Sequence, residues 1–222
     1  HDGGLAEARQ GCQPPDCGMP LSMEQELKLG LADPDALDDL LAALPEPRAV
    51  CEQTNHYFVD DGGTLVASRT MVRVRVSRYL QSDTPDVIVL TRKRRLQAKE
   101  GYFVAEELEV SLEPTEWAEV QSGTRDLLDL DPEPLRDLGI TSPLRCHGVM
   151  TNLRRVIDCE GFVLEVDRTL LPGDRIECEV EVETDDPEGA RRLVTERAKA
   201  AGVALFPQTR GKYARFRAAL AG

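Results

Sequence analysis

Histidine and cysteine are scarce in this sequence, and long apolar runs are missing. Its 222 residues include three histidines and six cysteines, with no CxxC pair. Tetrahedral zinc sites need clusters of these residues, and disulfide frameworks are typical of small secreted domains. No run approaches the ~20 apolar residues that cross a bilayer. We therefore predict a soluble, cytoplasmic protein with reduced cysteines and without a membrane partner.

Positive charge is also in short supply. Lysine and arginine number 27 against 40 aspartate and glutamate residues, which gives a formal net charge of -13 at pH 7. A surface of this sign repels nucleic acid and anionic lipid. The composition therefore predicts no nucleic-acid partner, and an anionic ligand needs a local basic site.

The first 22 residues differ in composition from the rest of the chain. They read HDGGLAEARQGCQPPDCGMPLS, which is rich in glycine, proline and small polar residues and has no apolar periodicity. Such a segment cannot bury enough apolar surface to fold. We predict that residues 1–22 are a disordered leader or a cloning remnant, in which Cys12 and Cys17 lack further metal ligands. Residues 23–220 are predicted to form one domain.

Alternating apolar and polar residues predict a mainly antiparallel β-structure with a few helices. Short alternating runs fill residues 53–110 and resume over residues 150–183, separated by turn sequences such as DGG, CEG and PGD. Helices are predicted over residues 33–44, in PTEWAEV and PEPLRDLG, and over residues 186–201. The closing segment QTRGKYARF is predicted to form a last strand or turn.

The charged residues of the predicted strands are segregated by sign. In MEQELKL, the two-residue period of a strand puts Glu24, Glu26 and Lys28 on one face and Leu27 and Leu29 on the other. The same alternation sets further charged residues opposite apolar ones: Arg73, Arg75, Glu107, Glu109, Glu165, Asp167, Glu177, Glu179, Glu181 and Glu183. A solvated sheet face usually mixes signs, because like charges on neighbouring positions repel.

Segregated charge indicates an internal ligand site, with an ordinary solvated sheet face as the alternative. If the apolar faces pack outward against the helices, the charged faces meet in the lumen of a closed barrel. Buried charges without partners cost several kcal/mol, so such a lumen needs water, counter-ions or a ligand. Clustered carboxylates bind divalent cations, and clustered arginine and lysine bind phosphate. The residues alone therefore predict a polyanion accompanied by metal, and the identity of the polyanion stays open.

MEQELKL also resembles the ExExK signature of the CYTH superfamily, the triphosphate tunnel metalloenzymes. Further motifs follow in the order typical of that family: QTNHYFVDD, RVR, LTRK, EELE, LRR, LEVD, ECEVEVE and GKY. The resemblance covers residues 23–217 and is closest to the plant and bacterial tripolyphosphatase-like members. It implies a mainly β fold, an eight-stranded antiparallel closed barrel that forms a tunnel with a charged lumen and helices packed outside.

The resemblance also implies roles for individual residues. The triphosphate-binding bases would be Lys28, Arg73, Arg75, Lys93, Arg154 and Lys212. The metal-binding acids would be Glu24, Glu26, Asp167, Glu179 and Glu181, and catalysis would depend on Glu24, Glu26, Lys28, Asp167 and Glu181. Further tunnel acids would be Glu107, Glu109, Glu165 and Glu183. Arg92 competes with Lys93 for the inward position, and Arg155 competes with Arg154. We favour Lys93 because it shares a strand face with Thr91.

The activity implied by the resemblance is hydrolysis of a triphosphate with one or two Mg²⁺ or Mn²⁺ ions, in a monomer or homodimer. Inorganic tripolyphosphate, cleaved to pyrophosphate and phosphate, is the first choice because no motif is suited to a base or a vitamin. The thiamine triphosphatase of the family stacks a tryptophan on thiamine. Met71 stands at that place here, with Tyr57 or Tyr79 as substitutes. The resemblance is also compatible with an adenylate cyclase or with a non-catalytic module that binds polyphosphate or a nucleotide.

Four further residues receive structural interpretations. Trp117 is expected to pack against the sheet, and His56 and His147 are expected not to be catalytic. Arg210 is expected to be a solvated surface residue.

Overall fold

Eight long strands form the framework of the structure, a computed structural model that describes residues 22–221. The strands are β1 Ser22–Leu31, β2 Ala49–Asp60, β3 Thr70–Tyr79, β4 Val87–Lys99, β5 Tyr102–Ser111, β6 Leu144–Cys159, β7 Phe162–Leu171 and β8 Arg175–Glu183. Their order is β5-β4-β3-β2-β6-β7-β8-β1, and β1 also pairs with β5. All of these pairings are antiparallel, so the sheet closes into the predicted eight-stranded barrel.

The first strand closes the barrel. Ser22 to Leu27 pair with β5, and Glu26 to Gly30 pair with β8. A short ninth strand, β9 Leu205–Pro207, pairs with the end of β1 beyond the reach of β5. The charged face of β1 therefore lies between the acidic strands β5 and β8.

Two tight turns show how the local sequence sets the hairpins. Glu100 and Gly101 connect β4 to β5 with φ of 49° and 84°, and Glu160 and Gly161 connect β6 to β7 with φ of 49° and 87°. Two-residue turns with positive φ at both positions match the twist of the flanking strands, and they favour glycine at the second position.

The five α-helices of residues 22–221 lie outside the barrel, which is where helices were predicted to pack. They are α1 Leu37–Ala42, α2 Thr64–Ala67, α3 Pro114–Ser122, α4 Pro187–Ala200 and α5 Lys212–Ala221. One apolar cluster joins the outer faces of β1, β7 and β8 to α1 and α4, and a second joins β3 and β4 to Trp117 on α3. Val72 and Val74 are fully buried in the second cluster, so the apolar strand faces point outward and the charged faces point inward. None of the helices within residues 22–221 has the length and apolar character needed to span a membrane.

Parts of the predicted secondary structure are wrong. The segment predicted as a last strand or turn contains α5, which docks through the buried residues Arg215 and Phe216. PEPLRDLG forms only a 3-10 turn over Glu133–Leu135, and α2 lies where no helix was predicted. The predicted helix at residues 186–201 is confirmed as α4, capped by Asp186. Residues 1–21, the greater part of the predicted leader with Cys12 and Cys17, lie outside the described residues.

Candidate active site

The inward strand faces enclose a cavity of about 640 Å³. Thirteen of the residues predicted from the sequence line it: Glu24, Glu26, Lys28, Arg73, Arg75, Lys93, Glu107, Glu109, Arg154, Glu165, Glu181, Glu183 and Lys212. Asp167 and Glu179 are fully buried in the wall beside them. The sequence therefore identified side chains that the fold brings together, although their individual roles stay predictions.

Three buried carboxylates form an acidic cluster on β7 and β8. Asp167, Glu179 and Glu181 each offer an oxygen within 4.8 Å of the others. The ammonium of Lys212, at the start of α5, lies 2.6 Å from Asp167 Oδ2, 2.5 Å from Glu179 Oε1 and 2.8 Å from Glu181 Oε1. We call Asp167, Glu179 and Glu181 the inner acids.

Two arginines are the remaining ion-pair partners of the inner acids. Arg154 binds Asp167 through Nε at 2.8 Å and Nη2 at 2.6 Å, and its Nη2 lies 2.6 Å from Glu181 Oε2. Arg215 on α5 contacts both oxygens of Glu179, at 2.8 and 2.7 Å. Burial alone would raise the pKa of Glu181, but Lys212, Lys28 and Arg154 outweigh it and hold that pKa well below its usual range. Asp167 and Glu181 are therefore ionised, and each of the inner acids is ion-paired with basic side chains of the protein itself.

A second set of acids carries less compensating charge. Glu24, Glu26, Glu107 and Glu183, here called the outer acids, lie around β1, β5 and β8. Lys93 contacts Glu24 and lies 3.2 Å from both Glu26 Oε1 and Glu107 Oε2. Burial and the neighbouring Glu107 raise the pKa of Glu24. Burial also raises the pKa of Glu183, and Glu24, Glu165 and Glu107 add to that rise.

Both sets of acids have the chemistry of a divalent-metal site. Carboxylate oxygens are the donors that Mg²⁺ and Mn²⁺ prefer in proteins. The inner acids offer a compact donor set, and the raised pKa values of Glu24 and Glu183 mark uncompensated negative charge. The residues of the tunnel therefore fit a divalent cation.

The opposite wall of the tunnel is basic. Arg75 donates from Nε to Asn55 Oδ1 at 2.9 Å, and among residues 22–221 no carboxylate lies within ion-pair distance of its guanidinium. Burial lowers the pKa of Arg75, and the positive charges of Arg73 and Arg154 lower it further. Arg73 donates to Thr91 Oγ1 at 3.2 Å, and its Nε is buried without a hydrogen-bond partner in the described part of the chain. Arg73 Nη2 lies 3.9 Å from Glu107 Oε1 and 3.8 Å from Glu109 Oε1, so the charge of Arg73 is partly compensated and that of Arg75 is not. Two neighbouring guanidinium groups with spare donors are suited to bind an anion.

In each of two pairs of neighbouring basic residues, the structure shows which member faces the tunnel. Lys93 lines the cavity as expected, and Arg92 does not. Arg154 likewise faces the tunnel, whereas Arg155 belongs to the outward face of β6 opposite Val166. Both assignments follow from the two-residue period of a strand.

Residues whose sequence context indicated packing lie away from the tunnel. Trp117 is buried in the second apolar cluster, with the ring of His56 4.7 Å from its own. His147 lies against Phe216 at 6.5 Å, and neither histidine lines the cavity. Arg210 is exposed and donates to the backbone oxygen of Ala214.

Several polar residues of the site were not predicted from the sequence. Asn55 alternates with Gln53 and Tyr57 along β2, so the same two-residue period would have pointed it inward. Arg215 stands three residues after Lys212, which is the spacing of one helix face, but α5 was not predicted. Met71 and Tyr57 line the cavity, whereas Tyr79 does not.

Comparison with known proteins gives a family and several similar structures. A family model described as the CYTH domain matches residues 22–207. A candidate adenylyl cyclase from Hippeastrum, described as revealing a dominant triphosphatase activity, has 28% sequence identity and a TM-score of 0.78, with 88% of this chain and 95% of that chain covered. No curated protein matches the sequence.

Two further solved structures share the fold. A candidate adenylate cyclase from Bacillus halodurans is 22% identical with a TM-score of 0.61, and the match covers 87% of this chain and 98% of that one. A protein from Pyrococcus horikoshii is 18% identical with a TM-score of 0.55, and the match covers 85% and 96% of the two chains.

Proposed function

Because this chain belongs to the CYTH domain family, we propose that it is a metal-dependent phosphoanhydride hydrolase that cleaves a triphosphate. Its substrate in this proposal is inorganic tripolyphosphate, which is converted to pyrophosphate and phosphate. The observation that carries the proposal is the half-buried guanidinium of Arg75, which lies beside Arg73 and has only the amide of Asn55 as a hydrogen-bond partner within residues 22–221.

Arg73 and Arg75 have the properties of an anion site. Both lie on β3 and face the cavity, and Arg73 keeps a buried Nε free of any partner in the described part of the chain. Guanidinium groups bind phosphate oxygens through paired, charge-assisted hydrogen bonds. A bound phosphoryl group would therefore satisfy donors and offset both the burial and the repulsion from Arg73 and Arg154 that lower the pKa of Arg75.

Lysines from three elements would hold the rest of the substrate. Lys28 on β1, Lys93 on β4 and Lys212 on α5 all line the same cavity as the arginines. Burial lowers the pKa of Lys28, but Glu181 and Glu26 outweigh it and keep the pKa well above its usual range. Lys28 is therefore charged at neutral pH, as a phosphate-binding group must be.

The acids of the tunnel would bind the metal and receive the proton. A divalent cation held by Glu24, Glu26 and the inner acids would supply charge neutralisation of the phosphoryl oxygens and activation of water. In hydrolysis the water oxygen bonds to the terminal phosphorus, the bond to the bridging oxygen breaks, and one water proton passes to a base. Glu165 is suited to accept it, because burial raises its pKa despite the nearby Arg154.

Adenylate cyclisation is the second candidate. The Hippeastrum protein is described both as a candidate adenylyl cyclase and as a triphosphatase, and it is similar to this chain over most of its length. Cyclisation of ATP releases pyrophosphate, whereas hydrolysis of the terminal phosphate releases orthophosphate. The two reactions are therefore separated by their products.

The test is a comparison of initial rates with tripolyphosphate, ATP and thiamine triphosphate. Each is measured with Mg²⁺, with Mn²⁺ and with EDTA, and cyclic AMP and orthophosphate are both quantified. Metal-dependent phosphate release that is fastest from tripolyphosphate supports the proposal. Cyclic AMP from ATP supports the second candidate, and no product from any substrate with folded protein rejects both.

A matched variant links the activity to the tunnel. Glu24→Gln keeps the shape of the side chain but removes a carboxylate charge from the outer acids, so turnover should fall at least about 100-fold. Glu46→Gln makes the same change at an exposed position and serves as the control. Unchanged turnover in a folded Glu24→Gln protein would contradict the assignment of the site.

A further inference from the structure

One side of the barrel wall lies between the sides that the helices cover. The first apolar cluster lies under α1 and α4, and the second contains Trp117 of α3. Between them, five outward residues of β2, β6 and β7 are half-buried or exposed, and we call them the open face: Thr54, Val149, Thr151, Leu153 and Leu170. Asn152 and Arg154 alternate with this face along β6 and bind Asp167 inside the tunnel. The open face therefore lies on the outside of the wall.

The strand register makes the open face continuous. Thr151 pairs with Thr54 on β2 and with Leu170 on β7. Val149 and Leu153 lie two positions before and after Thr151, on the same face of β6. Val149 is 47% exposed and Leu170 is 42% exposed. Adjoining apolar side chains with this exposure are typical of an interaction surface.

An acid and a base flank Leu153 symmetrically. Leu153 pairs with Glu52 on β2 and with Arg168 on β7, so the two charged residues lie in one row across the sheet. Both are exposed, and neither forms an ion pair within residues 22–221. Arg78, which lies opposite Glu52 on β3, pairs with Asp86 instead. The row through Leu153 therefore carries one charge of each sign without an ion-pair partner, on either side of β6.

Arg155 adds a donor that the fold leaves unsatisfied. It follows Leu153 on the outward face of β6, and its Nη1 is buried without a hydrogen-bond partner in the part of the chain that the structure describes. Arg168 lies diagonally opposite on β7, because Arg155 pairs with Val166. Burial raises the pKa of Cys178 to about 11 although Arg168 and Arg155 both act to lower it, so the two guanidinium groups lie near the same thiol. Two neighbouring arginines with spare donors favour a carboxylate partner.

We propose that the open face is the interface of a homodimer, in which two copies pack face to face about a two-fold axis parallel to β6. Rotation about this axis sets β6 against β6 of the partner copy, and it sets β2 against β7. Glu52 of each copy therefore meets Arg168 of the other copy, within reach of Arg155. The interface is separate from the tunnel, so the inference does not depend on the proposed hydrolysis.

The pattern of the open face favours a second copy over an unrelated partner. In an isologous interface, every group must find its counterpart on the same surface. Thr54 meets Leu170 across the axis, and Thr151 and Leu153 meet the same residues of the partner copy. The axis also keeps the strands of the two copies parallel, and sheets that pack face to face align their strands within about 30°.

The dimensions of this area predict a weak dimer. From β3 to β8 it spans four strand spacings, roughly 19 Å, and from Val149 to Arg155 it spans roughly 20 Å along β6. With the bordering side chains, each copy contributes roughly 600 Å², which is at the low end of specific interfaces. We therefore expect a dissociation constant of about 10 to 100 µM.

The experiment is sedimentation velocity on the full chain over about 1 to 300 µM, a range that brackets the expected constant. Glu52→Arg alone and Arg168→Glu alone each set like charges against each other twice, so each should weaken dimerisation at least about tenfold. The double variant exchanges the two signs and should restore the dissociation constant to within about threefold of the wild type. Glu46→Arg and Arg192→Glu, at exposed positions outside the open face, are the controls and should dimerise like the wild type. Thermal unfolding midpoints establish that every variant is folded.

Three outcomes would overturn the inference. A wild-type protein that stays monomeric over the whole range would leave the open face to a different partner. A dimer that neither single reversal weakens would have its interface elsewhere on the surface. A double variant as weak as the single variants would show that Glu52 and Arg168 do not meet across the axis.

Discussion

Lys212 Nζ lies 2.6 Å from Asp167 Oδ2, so the first residue of α5 reaches into the acidic wall formed by β7 and β8. The same ammonium contacts Glu179 and Glu181. A side chain from the C-terminal helix thus lies among the oxygens best placed to bind a metal ion.

Replacing Lys212 by methionine should separate its contribution to stability from its competition with a metal ion for the inner acids. In EDTA the variant should lose about 3 kcal/mol of unfolding free energy, because three buried carboxylates lose a shared partner. Added Mn²⁺ should then raise the midpoint of thermal unfolding more in the variant than in the wild type, since the ion no longer competes with an ammonium. Lys199→Met, at an exposed position of α4, is the control. An equal effect of Mn²⁺ on variant and wild type would argue against metal at the inner acids.

Removal of Arg75 and removal of Arg154 should change the free energy of unfolding by different amounts. Arg75→Gln leaves no carboxylate unpaired among residues 22–221 and relieves repulsion with Arg73 and Arg154, so the unfolding free energy should change by less than about 1 kcal/mol. Arg154→Gln removes two hydrogen bonds from Asp167 and should lower the free energy of unfolding by about 3 to 5 kcal/mol. Both should lower kcat/KM for tripolyphosphate about 100-fold. Urea unfolding and kinetics test this, and equal destabilisation by the two substitutions would contradict it.

The raised pKa of Glu183 predicts a pH-dependent stability. Burial and then Glu24, Glu165 and Glu107 raise this pKa above its ordinary value of 4.5, so the folded state binds the proton more tightly than the unfolded state. Ionisation of Glu183 therefore destabilises the metal-free protein as the pH rises from the ordinary pKa through the raised one. Glu183 is exposed at the end of β8, so solvent weakens this repulsion. Glu183→Gln should therefore raise the unfolding midpoint in EDTA by only about a degree at about pH 8 and have no such effect below pH 4.5. Thermal unfolding across this range tests the sign, and a Gln variant less stable than the wild type at the alkaline end would refute it.

Gly148 provides space for α5. A Cβ added at Gly148 would lie 2.7 Å from Cζ of Phe216, the buried aromatic of α5. Gly148→Ala should therefore displace α5 and lower the free energy of unfolding by about 1 to 3 kcal/mol. It should also raise the KM for tripolyphosphate, because Lys212 moves with the helix. Gly211→Ala, where nothing described lies within 4 Å, is the control for stability in chemical unfolding. A denaturant midpoint for Gly148→Ala equal to that of the wild type would show that α5 adjusts to the added methyl group without loss of stability.

The sequence predicted the direction of side chains best in strands where apolar and charged residues alternate strictly. Along β3, Arg73 and Arg75 alternate with Val72 and Val74, and the structure buries the valines outside the barrel and turns the arginines inward. The choice of Lys93 over Arg92 followed from the same period. An alternating strand leaves only two orientations, and one apolar face is enough to select between them.

Elements that depend on distant contacts could not be predicted in the same way. The run KYARFRAAL is short, and its helix is held by Phe216 against Tyr57, Met150 and Leu171, all far away in the sequence. Arg215 was missed for the same reason, because its partner Glu179 lies on β8. The individual roles of the tunnel residues depend on chemistry that a strand period does not encode, and they stay predictions.

The position of β1 in the barrel has a consequence for biosynthesis. Glu26 is paired with Glu183, so the ribosome must add more than 150 further residues before this early strand has its second neighbour. Until then the nascent chain carries a strand with one exposed edge, a state prone to pairing with other chains. Late closure also makes the mean separation of contacting residues large, which slows folding. Fragments that end before β8 will therefore lack the closed tunnel altogether.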